Sequence, residues 1–350
     1  KKFTKKINVF NAYKDFYIKK VSNFRVLFQK MYPKDPVPMV HFEKEPSLIR
    51  NFYLTKLHYM IKYNKKCKKK ENKMGRKLFC EYGPICYKIS LFKEAKKKDL
   101  KDLKAGKKFA KKINKENLEY IWKGDTKILL RKLHGVDMEL QKNKVTNLKL
   151  ASKKIDGIII NPGEEFSFWN LVGNATKRKG YKEGLVISNS KMKQGVGGGL
   201  CQMANMIHWL VLHTPLEVTE LHHHSDALFP DVKRRVPFGT GTSISYKALD
   251  YRFKNTTENP VQIRVWLDDT MLYGEIRSTV PLDKKYKIVE EDNHYAKDDD
   301  GIFYRNSKVY RIITDKETKQ EIKKELILDN HSKVMYDYSL IPAEEIRDVK

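Results

Sequence analysis

Cys201 follows three consecutive glycines, Gly197, Gly198 and Gly199, and leads the run Q-M-A-N-M-I-H-W-L-V-L. That run is mostly apolar at helical spacing and predicts a helix of about three turns. A thiol at a helix N-terminus meets unpaired N–H groups and the positive end of the macrodipole, which favour the thiolate. Glycines ahead of it let a backbone or a substrate approach closely, because no Cβ intervenes. The pattern suits cysteine acyl transfer. It equally suits a glycine turn feeding a helix whose cysteine is a small buried hydrophobe.

A nucleophilic cysteine needs a base and an oxyanion site. His208 lies seven residues along the same helix, about 10 Å away at ~1.5 Å rise per residue, and is out of reach. His213, near the helix C-terminus, reads as a surface residue favoured by the dipole. His134 sits beside Gly135 in a turn. The run His222-His223-His224 remains; on a strand end, His222 and His224 share one face and His223 takes the other. A cysteine on a helix N-terminus followed by a histidine on a later strand is the order of papain-like enzymes. Asp226, Asp250 and Asn255 are candidates to orient the base. The Cys201 amide, with a neighbour from the glycine loop or the Gln202 side chain, would form the oxyanion site. The rivals on these residues are a structural role for all three histidines and zinc, held by His-x-His with His223, Asp226 or Cys201. No H-E-x-x-H or second ligand cluster accompanies it, and the expectation is neither metal nor cofactor.

The elements that would position these groups are legible in outline. Phe3, Ile7, Phe10, Tyr13, Phe16, Tyr17 and Val21 recur at near-helical spacing within residues 1–35, opposite a lysine-rich face. Such a segment more often packs on its own domain, and it can also lie on an anionic membrane surface. Prolines at 33–38 break it, and a second helix is expected over 48–75. Residues 77–92 predict two short strands around Gly83-Pro84, and 93–118 a lysine-rich loop or solvent-facing helix. Tyr120 to Leu133 and Val136 to Leu140 read as strands. Val145 to Ile155 reads as a helix capped by Asn147 and stopped before Gly157, and Ile158 to Ile160 as a strand. A tight turn at Asn161-Pro162-Gly163 precedes an extended stretch, E-E-F-S-F-W, that buries its aromatics. Glu217 to Leu221 is a short strand. Thr240 to Tyr246, Leu249 to Asn255, Val261 to Asp268 and Met271 to Ser278 predict an antiparallel meander, continued by Tyr286 to Glu290, Ile302 to Thr314 and Gln320 to Leu328. The fold class is therefore α+β: a basic helical N-terminal region (1–75), a domain whose central helix carries Cys201 (76–280), and a β-meander extension (281–350) completing an antiparallel, β-rich C-terminal half.

The chain has 350 residues and a formal charge of +28, from 71 Lys plus Arg against 43 Asp plus Glu. That sign attracts lipid headgroups, polyanionic wall polymers or nucleic acid; a proteome-wide lysine bias gives the same sign. The basic cluster at 65–73 lacks interleaved aromatics and any nucleic-acid fold signature, so nucleic acid is a disfavoured partner. Cys67, Cys80, Cys86 and Cys201 show no C-x-x-C spacing, against a zinc knuckle. They are too sparse for a disulfide framework, although Cys80 and Cys86 could pair in an oxidising compartment. No stretch approaches the ~20 apolar residues of a membrane span, and no signal-peptide pattern is visible. The expected location is cytoplasmic or membrane-peripheral, or extracytoplasmic should a leader precede Lys1.

Four ordered motifs resemble the VanW family: N-P-G-E-E-F-S-F-W at 161–169, G-G-G-L-C-Q-M-A-N at 197–205, H-H-H-S at 222–225 and L-D-Y-R-F-K-N-T-T at 249–257. The resemblance spans roughly residues 75–340 and includes V-T-N-L-K-L-A-S-K-K-I-D-G at 145–157. It implies a link to glycopeptide resistance and wall metabolism. Larger relatives are associated with L,D-transpeptidase chemistry on peptidoglycan, with the cysteine of G-G-G-x-C-Q, here Cys201, as nucleophile. The family's H-P-H-S places His222 first and His224 third, the latter to move protons. Gly197, Gly198, Gly199, Gln202 and Ser167 are the expected substrate contacts, and a peptidoglycan peptide or precursor the expected partner. The alternative is a non-catalytic accessory protein that binds wall precursors or a partner enzyme. One departure stands out: the family's G-R-D-A-T is replaced by Gly239-Thr240-Gly241-Thr242, so an aspartate there is lost.

Overall fold

The computed structural model describes residues 78–130, 137–188, 191–223, 226–228, 230, 236–299 and 301–347. The helices expected within 1–75, His134 and His224 lie outside these residues. Lys1–Lys77 and Leu78–Lys350 separate as two compact units, and all described residues belong to the second.

The described chain opens with a short 3-10 turn, Phe79–Tyr82, and helix α1, Pro84–Lys104. Two strands were expected at 77–92, and helix forms instead. Gly83 at φ +146° turns the chain, and Pro84 takes the first helical position, where its missing N–H costs nothing. The strands β1 (Lys112–Ile113) and β2 (Tyr120–Ile128) follow. Helix α2 runs from Met138 to Ile155. Its first turn replaces the strand expected at 136–140, because the Asp137 carboxylate accepts the Glu139 N–H at 2.8 Å and caps the helix there. Asn147 is therefore mid-helix and fully buried, not a cap. Beyond α2, Gly157 has φ +84°, and a Cβ on it would lie 2.2 Å from the Asn114 carbonyl oxygen, so only glycine fits.

Next come β3 (Ile158–Ile160), β4 (Glu165–Ser167), the short helix α3 (Phe168–Val172), the hairpin β5 (Glu183–Ser188) and β6 (Lys191–Val196), and helix α4 (Leu200–Val211). Ser167 ends its strand by capping α3, accepting the Asn170 N–H at 3.2 Å, so Phe168 and Trp169 are helical rather than extended. The remaining strands are β7 (Glu217–Glu220), β8 (Asp226–Ala227), β9 (Arg252–Lys254), β10 (Val261–Leu267), β11 (Met271–Ser278), β12 (Lys284–Lys297), β13 (Phe303–Asp315), β14 (Glu321–Val334) and β15 (Ile346–Arg347). Residues 240–250 do not form the expected strands. Their backbone is occupied by a tight turn, Ser245 N–H to the Leu249 carbonyl at 2.8 Å, with Lys247 at φ +68°.

One five-stranded sheet has the order β1-β3-β10-β11-β2, with every pairing antiparallel. A second, β15-β12-β13-β14-β8, is antiparallel at its centre with a parallel strand at each edge. A third small sheet is β4-β9-β7. The α+β class with a β-rich C-terminal half is what the structure shows.

The core lies between α2, α4 and the inner face of the first sheet. Leu200, Met203, Met206, Ile207, Leu210 and Val211 of α4 bury against a layer containing Ile158, Ile160, Val261, Ile263, Val265, Leu272 and Ile276. Each such side chain contributes about 1.5–3 kcal/mol. The closest crossing is at Gly274 of β11, where a Cβ would lie 2.9 Å from Leu210 Cδ1 and 3.0 Å from Met206 Cγ. This packing fixes the axis of α4, and with it the position of Cys201 at its start.

Candidate functional site

The turn before α4 is a backbone construction. Gly197 and Gly199 have φ of +82° and +90°, and Gly199 is the N-cap with no side chain to offer. The Gly197 N–H donates to the Lys182 carbonyl at 3.0 Å and that of Gly198 to Gly195 at 3.1 Å, tying the turn to the β5–β6 hairpin. Asn147 completes the tie from α2. Its Nδ2 donates to the carbonyls of Gly198 (2.9 Å) and Lys182 (3.0 Å), and its Oδ1 accepts the Lys182 N–H at 2.8 Å. Lys144, one turn earlier on α2, lays its stem across Gly199, where a Cβ would meet Lys144 Cγ at 2.0 Å.

Cys201 is half-buried in the first turn of α4. Burial is the largest influence on the thiol and pushes its pKa up from the ordinary value of 9.0. Lys144 and the backbone N–H groups of Cys201 and Gln202 act the other way and are outweighed. The lowered pKa expected from the helix N-terminus is thus overturned: low local polarity costs the thiolate more than the helix end and one lysine return. The group therefore stays protonated at neutral pH. With Cys67, Cys80 and Cys86 replaced by serine, alkylation of Cys201 should quicken about tenfold per pH unit and still be rising past pH ~9. A plateau well below that would contradict the burial effect.

Gln202 is not poised as an oxyanion donor in this state, since its Nε2 donates to the Ile128 carbonyl of β2 at 2.9 Å. Ser167 is buried, and its Oγ donates to Asp250 Oδ2 at 2.6 Å. The glycines, Cys201 and Gln202 are contiguous. Ser167 belongs instead to an ionic cluster with His222. His222 Nε2 lies 2.9 Å from Glu220 Oε1, which also accepts the Asp250 N–H at 3.0 Å and the Lys98 ammonium at 2.5 Å. Arg252 joins Asp250 (2.8 Å), Glu220 (3.2 Å) and Asp102 (2.7 Å). Hydrogen bonds from Lys98, His222 and Asp250 outweigh burial and hold the Glu220 carboxyl below its usual range, so it is ionised.

Asp250, one of the three candidate orienters, thus serves Ser167 and Arg252. Asn255 is also accounted for locally, its Nδ2 donating to the Ile160 and Asn259 carbonyls at 2.8 Å each. The carboxylate on His222 is Glu220. The sequence carried a signal for it: residues two apart on a strand share a face. Asp226 sits in β8, paired with β14.

Cys201, Asn205 and His208 follow one another at four- and three-residue intervals along one face of α4. Two loop segments run along that face. The Thr242 N–H donates to Asn205 Oδ1 at 2.7 Å, and the Ser243 N–H donates to the His222 carbonyl at 2.6 Å. His223 Nδ1 lies 2.9 Å from the Gly239 carbonyl oxygen. The segment 239–243, which bears the departure at Gly241, is therefore stitched between the histidine run and the cysteine helix. Gly241 itself abuts Asn205, a Cβ there meeting Oδ1 at 3.4 Å.

His208 is fully buried, its Nδ1 is 3.2 Å from the Tyr251 hydroxyl, and its Nε2 has no partner among the described residues. Burial, aided by the neighbouring His223, lowers its pKa to about 3. His213 is also lowered, to about 4, again mainly by burial; its Nδ1 meets the Trp209 carbonyl at 2.8 Å. The dipole-favoured surface residue expected at His213 gives way to a half-buried neutral ring that lines a cavity together with Lys123 and Tyr286 of β12. Among the described residues no three His, Cys, Asp or Glu side chains are placed to hold a metal ion.

Residues 143–277 match the family described as VanW like protein. Over 228 residues the chain is 36% identical to the vancomycin B-type resistance protein VanW of Enterococcus faecalis, covering 65% of this chain and 82% of that one. Over 123 residues it is 32% identical to the uncharacterized protein YoaR of Bacillus subtilis, 35% of this chain and 39% of that protein. No solved structure matches the chain.

Proposed function

We propose that this chain, which belongs to the VanW family, takes part in vancomycin resistance and the wall metabolism around it as a cysteine-dependent acyl transferase of the L,D-transpeptidase kind. The observation that carries this reading is the setting of Cys201, whose sulfur faces its own amide, the Gln202 amide and Lys144 at the head of a helix. The Cys201 amide is a donor that a tetrahedral oxyanion would need, while the Gln202 amide also donates to the Gly199 carbonyl at 3.0 Å.

In the proposed reaction the thiol gives its proton to a base. Sulfur then bonds to the carbonyl carbon of a diamino-acid residue. The C–N bond to the terminal D-amino acid breaks, and the departing amine takes up a proton. An acceptor amine attacks the thioester, the C–S bond breaks, and the thiol recovers its proton. His224 is the proposed proton carrier and His222 its companion. The Glu220–His222 contact supports a base held by a carboxylate. A thiol that rests protonated requires such a base at the moment of attack.

The test is incubation with a muramyl tetrapeptide followed by intact-mass analysis. The expected result is an acyl adduct on Cys201 that lacks the terminal D-amino acid and is absent from Cys201→Ala. The upward thiol pKa favours a second reading, an accessory protein that binds wall precursors without reacting. Peptide binding equal in wild type and Cys201→Ala, with no adduct in either, replaces the first reading with the second.

A further inference from the structure

Helix α1 is amphipathic in the reverse of the usual sense. Ile85, Ile89, Phe92, Leu100 and Leu103 recur at three- and four-residue steps, with Lys96 filling the gap, and form one stripe. All five are exposed, between 39% and 77%, and no residue of the helix is buried. The side that meets the body of the protein carries half-buried Leu91, Ala95, Lys98 and Asp102, and ion pairs hold it there. Lys98 binds Glu220 at 2.5 Å and Asp102 binds Arg252 at 2.7 Å, one helical turn apart. A helix tethered by ion pairs with its apolar side outward has not been placed to build the core. The 3-10 turn ahead of it adds exposed Leu78, Phe79 and Tyr82 to the same end.

Charge says what covers this stripe. The helix carries seven lysines, Lys88, Lys93, Lys96, Lys97, Lys98, Lys101 and Lys104, against Glu94, Asp99 and Asp102. Lys93, Lys97 and Lys104 border the apolar stripe on one side and Lys88 on the other, while Lys247 reaches to 5.4 Å from the Phe92 ring centroid. No helix among the described residues is long and apolar enough to cross a membrane. An apolar stripe edged by lysines is the form that lies in the plane of an anionic bilayer, side chains among the acyl chains and ammonium groups at the headgroups.

We propose that α1 docks this protein flat against an anionic lipid surface. The full chain is sedimented with vesicles of phosphatidylcholine containing phosphatidylglycerol, and with phosphatidylcholine alone. Binding is expected on the anionic vesicles, weakening as salt is raised. Ile89→Asp combined with Leu103→Asp lowers it about tenfold or more. Both side chains are exposed, so circular dichroism and thermal unfolding should match wild type. Equal binding to the neutral vesicles overturns the proposal, as does unchanged binding of the double variant, which would move lipid contact elsewhere on the chain. Self-association of the wild type that the variant abolishes, without lipid binding, assigns the stripe to a second copy and also overturns it.

Discussion

Gly198→Ala should destabilise the protein by about 3 kcal/mol or more, or prevent folding, at or beyond the upper end of what overpacking ordinarily costs. A Cβ on Gly198 would lie 2.2 Å from the Gly184 carbonyl carbon and 2.4 Å from its oxygen, both backbone atoms that cannot rotate aside. Relief requires parting the β5–β6 hairpin from the glycine turn. That breaks the bonds Asn147 makes to both sides, the Gly198 carbonyl at 2.9 Å and the Lys182 N–H at 2.8 Å. Each buried group left unpaired costs a further 1–3 kcal/mol or about that. Gly184→Ala, whose Cβ would meet the Gly198 oxygen at 2.9 Å, should be milder but in the same direction. Gly124→Ala is the control, since its nearest contact is an ordinary 3.7 Å. Urea unfolding of the three variants measures the order. A Gly198→Ala protein as stable as the Gly124→Ala control would mean that the two backbones do not meet as described.

Acid should unfold this protein early, and His208 should be the main reason among its histidines. Its folded pKa is about 3 against 6.5 in an unfolded chain. The unfolded state therefore takes up the proton first, and stability rises with pH across that window. The contribution is complete above pH ~6.5 and is lost progressively as pH falls toward the folded value, about 3 to 5 kcal/mol in all. His213, lowered to about 4, acts in the same sense. Carboxylates also titrate in acid, so the informative quantity is a difference. His208→Gln retains a partner for the Tyr251 hydroxyl and cannot be protonated. Between about pH 7.5 and 5, wild type should lose roughly 2 kcal/mol more than this variant in urea unfolding. Parallel curves would show that His208 is open to water and titrates normally.

How far residue patterns reach is visible in particular elements. The central helix, β3, β10 and β11 were legible because each is an apolar run with an unambiguous period and clear stops. The pairing of Gly-Pro at 83–84 with a helix start was not, because the same dipeptide opens turns. The stretch 240–250 alternates like a strand, yet its hydrogen bonds go to a tight turn and to Asn205, a partner that local periodicity cannot announce. The cysteine and its glycines were legible as a turn feeding a helix. The electrostatics were not: whether a helix end or burial governs a thiol depends on what packs around it, here Lys144 from α2 and the dense core behind α4. The carboxylate on His222 was within reach of strand alternation. The Ser167–Asp250 bond, by contrast, joins residues far apart in sequence and could be found only in space.

The Gly184–Gly198 contact also bears on how the protein can diverge. A side chain at either position runs into the backbone of the other, most severely at Gly198, and changing both together worsens the collision, so each step away from the pair is costly. Drift is steered instead to positions such as Gly124, where a side chain meets only ordinary contacts. In very remote relatives, a glycine in a strand matched to a glycine before a helix-leading cysteine would be a more durable sign of common descent than any charged residue around the thiol.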